Sequence, residues 1–312
     1  MQKKLLEVLV CPACLPHEYS LMVSVHMEEA EDIVVGELVC PVCGRKYPIK
    51  DGVAFLDPRP SASISSASRY ESELLLASYL WSHYGDLLAD PEASTAYQEW
   101  GELLPENDGW GLDIGAAVGR FSFEMSRTCD FVVGIDSSAS FVAAARRLLK
   151  ERSFSISLPE EGRLCRQVSL QLPSTWSFSA LEFMVADAQA LPFKAGVFSQ
   201  VASLNLVDKL SRPGVHLTEM NRVTRGWQAQ FLFSDPFSWS LEAAPEKEWL
   251  GGTESGAFAG FAKDNISRLL SDPQGLLQPI WEVTGEGSVW WKIRTHRNHY
   301  ELIRSCYLKA ER

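Results

Sequence analysis

The sequence predicts an α/β fold: a doubly wound sheet of parallel strands with a C-terminal antiparallel strand, preceded by a small metal-held module. Three observations predict it. From Trp110 to Asp136 the chain reads strand, small-residue turn, helix and a second strand ending in an acid, the nucleotide-binding βαβ pattern. Near the N-terminus stand two CPxC knuckles, separated by a segment long enough for a hairpin. At the other end, Val289 to Glu311 reads as two extended runs joined at Thr295 to His299.

Composition allows a substantial core. The chain has 312 residues, 46% of them hydrophobic, with a formal charge of −11 and a pI near 5.1. That length suits more than one unit. The acidic balance disfavours a general phosphate-binding surface, since nucleic-acid affinity rests on cationic contacts. No run of about 18 apolar residues appears, and the opening MQKKLLEVLVCPAC has no long apolar stretch with a cleavage site. The reading is a soluble, cytoplasmic protein without a membrane span.

Cys11 and Cys14 form the first knuckle, Cys40 and Cys43 the second. Two thiolates at this spacing chelate one ion from a tight turn, and two such turns complete a tetrahedral site. Zinc is the expected metal. Four protein ligands leave no open position, so the site is structural. Its binding supplies roughly 10–16 kcal/mol of apparent energy, enough to fold a module that lacks a core of its own. His17 and His26 read as surface residues. The module spans 1–58, a Ser/Ala/Pro-rich linker covers 59–69, and the main unit runs over 70–312.

After the linker, apolar residues at Leu74, Leu75, Tyr79, Leu80 and Trp81 are spaced for an amphipathic helix. Tyr79, His83 and Tyr84 on it are a candidate lid over a ligand cleft, or an ordinary packed face. In the βαβ unit, Gly115 and Gly119 admit backbone close to a ligand, and Ala116 lies between them. Asp136 ends the second strand, where it can accept hydrogen bonds from a ribose diol, each worth roughly 1.5–3 kcal/mol; Ser137 follows it. Asp113, just before the first glycine, argues against a pyrophosphate and suits a ligand carrying positive charge. S-adenosylmethionine is such a ligand, and the stretch is similar to the first two motifs of class I methyltransferases.

Farther along, Ala139 to Glu151 reads as a helix with Phe141 inward, and Ser153 to Pro173 as an extra hairpin. The third strand closes at Asp187 and Ala188. There a carboxylate can take an adenine amino group while the neighbouring N–H meets a ring nitrogen; Asp187 as a helix cap is the alternative. Phe198 to Leu204 runs into Asn205 and Asp208, at the strand ends where ligands bind. A helix over Arg212 to Arg225, a fifth strand over Gln228 to Phe233 and a helix over Phe261 to Leu270 complete the pattern. Cys129, Cys165 and Cys306 read as buried and inert.

Through LLEVLVCPAC and ELVCPVCGRKYPIKDGVAFLDP, the first module resembles the Trm112-like zinc-ribbon family of small methyltransferase activators. The resemblance implies a stabiliser of a methyltransferase, here fused in front of one. A zinc ribbon also precedes the fold in certain ribosomal RNA guanine methyltransferases. From about Tyr79 onward the chain is similar to the methyltransferase domain of ovothiol-synthesis enzymes, which act on a ring nitrogen of 4-mercaptohistidine. The stretches YLWSHYG, LDIGAAVGRFSFEMSR, VVGIDSSASFVAAA, LPEEGRL, LNLVDKL, SDPFSWSLEAAPEKEWLGG and KIRTHRNHYELI carry it. Ala116 departs from the Cys usual in that family, and neither the iron-dependent sulfur-transfer domain nor the ribbon is shared.

The expectation is therefore a Rossmann-like class I methyltransferase sheet with a zinc ribbon held in cis. Asp113, Gly115, Ala116, Gly119, Asp136, Ser137, Asp187, Ala188 and Asn205 are the candidate cofactor residues. His83, Tyr84, Asn205, Asp208 and Trp239 are the candidate acceptor wall, with Asp208 or His83 taking the acceptor's proton. A small thiol- or imidazole-bearing acceptor is favoured over RNA gripped by the ribbon, because residues 1–60 hold six Lys/Arg against nine Asp/Glu. A scaffold with a decayed site is a third reading, opposed by the intact Asp113, Asp136 and Asp187.

Overall fold

The computed structural model describes residues 1–59 and 72–312. All of the expected linker except Arg59 lies outside the described residues. The zinc module contributes β1 (Met22–Glu29), β2 (Asp32–Val39), β3 (Lys46–Lys50) and β4 (Val53–Leu56). Helices α1 (Glu73–Tyr84) and α2 (Ala96–Glu102) precede the βαβ unit, which is β5 (Trp110–Ile114), α3 (Arg120–Met125) and β6 (Phe131–Asp136). There follow α4 (Ala139–Glu151), the hairpin β7 (Ser153–Glu161) and β8 (Leu164–Gln171), and strands β9 (Leu181–Ala186) and β10 (Phe198–Leu204). The rest is α5 (Pro213–Val223), β11 (Gln230–Asp235), α6 (Ala262–Ser271), β12 (Glu282–His296) and β13 (His299–Glu311).

Local chemistry accounts for the ends of the main helices. Ser72 Oγ accepts from Leu75 N and caps α1, and Ser138 Oγ accepts from Phe141 N and caps α4. Strands β5, β9 and β10 are buried on both faces because helices cover both sides of a parallel sheet. The fifth parallel strand starts two residues later than its apolar pattern suggests and extends to Asp235.

All strands but the β7–β8 hairpin form one 11-stranded sheet, in the order β1-β2-β3-β4-β9-β6-β5-β10-β11-β13-β12. Neighbours β9, β6, β5, β10 and β11 are parallel, and β13 is antiparallel to both β11 and β12. The strand order reverses between β5 and β10. A crevice at that switch point, beyond the carboxyl ends of the strands, is where such sheets bind ligands.

Strand β4 pairs in parallel with β9, Phe55 beside Val185 and Leu56 beside Ala186, so the zinc module extends the main sheet. Leu5, Leu9, Tyr47 and Leu56 of the module share one core with Met184, Leu191 and Phe193. A polar seam runs beside it. Arg146 of α4 donates to both oxygens of Asp32 at 2.6 Å and pairs with the fully buried Glu182, which also accepts from Gln2 N at 2.7 Å. Gly52 has φ +77°, and a Cβ there would meet the Arg146 guanidinium at 2.4 Å; the glycine makes room for the seam.

Candidate functional site

The four sulfurs of Cys11, Cys14, Cys40 and Cys43 lie within 4.8 Å of one another. Cys11 Sγ is 3.7 Å from Cys43 Sγ, and Cys14 Sγ is 3.8 Å from Cys40 Sγ. A tetrahedron with metal–sulfur bonds of ~2.3 Å has edges of about 3.8 Å, so the thiolate cage fits zinc in size and chemistry. Of the other cysteines, Cys129 is buried, its thiol pushed up to about 12 by desolvation, Cys306 is half-buried and Cys165 is exposed.

A cleft of about 440 Å³ opens at the switch point, lined by Asp113, Gly115, Ala116, Asp136, Ser137 and Asn205 among others. The turn between β5 and α3 is strained to make it: Gly115, Ala117 and Gly119 all have positive φ. Ala117 N donates to Asp136 Oδ2 at 3.0 Å and Ser138 N to Oδ1 at 2.8 Å, which fixes the carboxylate at the cleft floor. Asp113 is fully buried and accepts from Ser122 Oγ at 2.6 Å. Burial raises its pKa to about 7, with the charge of Asp136 acting in the same direction.

Gly119 does not line the cleft. A Cβ on it would sit 2.6 Å from the Phe183 ring and 3.0 Å from Ala145, so this glycine lets α3 lie close to the sheet. An adjoining recess of about 280 Å³ shares Gly115, Asp136 and Ser137 and adds Asp187 and Ala188. Asp187 Oδ1 accepts from Gln189 N at 2.9 Å within a turn that no helix follows, so the residue is not a helix cap, and it borders the recess. Asn205 stands in the left-handed region at φ 55°, its N donating to Ser234 O and its Oδ1 accepting from Ser305 Oγ at 2.5 Å.

Of the expected acceptor wall, His83 and Asn205 line the cleft and three residues do not. Tyr84 is fully buried and donates to Val118 O at 2.8 Å. One residue beyond His83, it is turned about 100° around α1 and packs into the core. Asp208 is 1% exposed, and its Oδ2 accepts from Ser238 N at 2.8 Å and Lys209 Nζ at 3.1 Å. Its carboxylate braces the loop behind the cleft and reaches the lining through Ser238 and Lys209. Trp239 stacks on Trp249 at 6.1 Å and borders a separate groove.

Residues outside that expectation complete the wall. Tyr97 of α2 places its hydroxyl 2.6 Å from His83 Nε2, while His83 Nδ1, buried, has no partner. Burial, with Arg120 beside it, holds His83 well below the usual imidazole range, so the ring is neutral. Arg120 donates to His83 O at 3.0 Å and is itself held by Asp86 and Glu124. Trp291 of β12 also lines the cleft, and its buried Nε1 has no partner. Tyr79 meets Phe141 at 4.7 Å and Trp291 edge-on at 6.3 Å, closing an aromatic roof. Among the described residues that line the cleft, Lys209 is the one lysine or arginine.

Residues 2–52 match the family model described as Trm112p-like protein, and residues 112–226 match the one described as Methyltransferase domain. The chain thus carries a methyltransferase domain behind a Trm112-like module. No curated protein matches the chain. Among solved structures, an S-adenosylmethionine-dependent methyltransferase of Methanosarcina mazei is 17% identical, covering 68% of this chain and 95% of that one at a TM-score of 0.43. A complex containing the Haloferax volcanii Trm112 methyltransferase activator is 16% identical, covering 55% and 62% at 0.34. Phosphoethanolamine N-methyltransferase 2 of Haemonchus contortus is 16% identical, covering 53% and 33% at 0.39. At such distances these likenesses say nothing of substrate. Among the described residues no helix is long and apolar enough to cross a membrane.

Proposed function

We propose that the methyltransferase acts on a small molecule, a thiol- or imidazole-bearing metabolite, with the zinc module stabilising the catalytic sheet in cis. The observation that carries this reading is the wall facing the Gly115 turn. It is built of Tyr79, Tyr97, Phe141 and Trp291 rings around two buried, unpartnered polar atoms, His83 Nδ1 and Trp291 Nε1. Apolar faces with a few convergent polar groups suit a compact ligand. A base held on a polyanion calls for neighbouring cations, and Lys209 is already paired with Asp208. The resemblance to ovothiol-synthesis methyltransferases supports the same class of acceptor.

In this reading Asp136 takes the ribose diol of the cofactor, Asp187 and Ala188 the adenine, and Asp113 the positively charged methionine end, with Gly115, Ala116, Ser137 and Asn205 shaping the backbone around it. A carboxylate offers about four lone-pair sites, so the two N–H groups on Asp136 do not exclude a diol. The cofactor supplies an electrophilic methyl group. The protein's part is to align the acceptor, exclude water with the aromatic roof, and take the proton the acceptor loses. His83 is the group for that proton: it is neutral, it lines the cleft, and Nδ1 has no other partner.

Labelled methyl transfer from S-adenosylmethionine, assayed on small thiols and imidazoles beside ribosomal and transfer RNA, tests the reading. Transfer to small molecules that survives ribonuclease is expected. Labelling of RNA alone would overturn it and favour the ribbon as an RNA grip.

A further inference from the structure

The zinc module reaches the recess that adjoins the cleft. Because β4 is parallel to β9, both strands leave the sheet at the same, ligand-binding edge. The residues after β9 are Asp187 and Ala188; those after β4 are Asp57, Pro58 and Arg59. Arg59 lines the same recess as Asp136, Asp187 and Ala188. An antiparallel addition of the same strand would have sent it to the far edge.

Its side chain is preset. Arg59 Nε lies 3.0 Å from each Asp57 oxygen, Nη2 donates to Oδ2 at 2.5 Å, and the backbone N of Arg59 donates to Oδ1 at 2.8 Å. Asp57 is itself buried. Holding one edge of the guanidinium in a carboxylate fork fixes the plane and leaves both flat faces and Nη1 uncommitted by that fork. Ile135, Leu206 and Leu210 give the same recess apolar lining. The negative charge of Asp187 reaches Arg59 as well.

We infer that Arg59, supplied by the zinc module, is a cofactor-binding residue that stacks its guanidinium on the flat adenine of the nucleoside. This rests on the reading of the cleft as the cofactor site. A slot with apolar lining and one cationic plane recognises an aromatic ring by its face, while Asp187 and Ala188 border the place for its edge. The module then adds a ligand contact to its structural role, and a catalytic domain without it would have an incomplete recess.

Calorimetric titration of the intact, zinc-loaded chain with S-adenosylhomocysteine tests this without any methyl acceptor. Arg59→Ala should weaken binding roughly 3- to 30-fold with zinc content unchanged, and Arg59→Lys should recover only part. Asp136→Ala serves as the control. Normal affinity in Arg59→Ala, with binding lost in Asp136→Ala, overturns the inference alone. Normal affinity in both removes the cofactor reading beneath it. Full recovery by Arg59→Lys would show attraction by charge and overturn the stacking.

Discussion

The hydroxyl of Tyr97 lies 2.6 Å from Nε2 of His83, and the two rings sit 4.2 Å apart by centroid. Both are buried, which lowers the imidazole's proton affinity and keeps the phenol protonated. In the tautomer that donates Nε2–H to the tyrosine oxygen, the unpartnered Nδ1 carries the bare lone pair that a proton acceptor needs. His83→Ala should then lower kcat by roughly 100-fold or more, and Tyr97→Phe by less, with S-adenosylhomocysteine affinity unchanged in both. Since His83 stays neutral across pH 6 to 8, it should add no inflection to the pH–rate profile there. Equal kcat in wild type and His83→Ala would remove the histidine from the mechanism.

Asp113 governs a separate pH effect. Its folded pKa, raised to about 7, makes the folded chain bind a proton the unfolded chain has released. Stability of the cofactor-free protein should therefore fall as pH rises from about 4 to about 7 and then level. A cation in the cleft needs the ionised form, so S-adenosylmethionine affinity should rise toward pH 7 by up to roughly tenfold per unit and level above it. Asp113→Asn should bind weakly with no such slope. A slope that survives that substitution would place the titrating group elsewhere.

Much of this was legible in the sequence, for physical reasons. The βαβ unit announces itself through a turn that needs positive φ and an acid at a strand end. The knuckles do so because tetrahedral thiolate geometry needs close pairs of cysteines. What escaped was set by tertiary packing. Helix α2 has only seven residues and includes Gly101, so its pattern is too short to register, and Tyr97 was missed with it. His83 and Tyr79, four apart, share a face of α1, whereas Tyr84 next door turns inward. In the sequence Gly119 suggests room for a ligand, but the ring it avoids belongs to Phe183, 64 positions along the chain. Nothing in Val53-Ala-Phe-Leu56 says which strand it will join, so Arg59 could not be placed.

The zinc cage and the catalytic sheet should fail together. Strand β4 carries the module's order directly into β9, and Leu5, Leu9 and Tyr47 complete a core that the main unit does not close alone. Removing zinc with a strong chelator, or Cys40→Ser, should lower the melting temperature of the whole chain in one transition and weaken S-adenosylhomocysteine binding. Metal analysis should return one zinc per chain. A chelated protein that melts and binds unchanged would confine the metal to a local role.

Arg146 tests the seam without touching the metal. Its side chain is 6% exposed, and it joins Asp32 of the module to Glu182 at 0% exposure on β9. Taking away the cation strands a buried carboxylate, a change that typically costs about 3–5 kcal/mol. Arg146→Met should thus lower the melting temperature by roughly 10 °C, and Glu182→Gln in the same chain should recover much of it, because the stranded charge is then gone. Gly52→Ala attacks the seam from the module's side: its φ is unfavourable for alanine, and the new Cβ meets the guanidinium. Zinc content should stay at one per chain in each variant, which separates loss of the seam from loss of the cage. An unchanged melting temperature in Arg146→Met would mean that strand pairing and apolar packing hold the two parts together without the ion network.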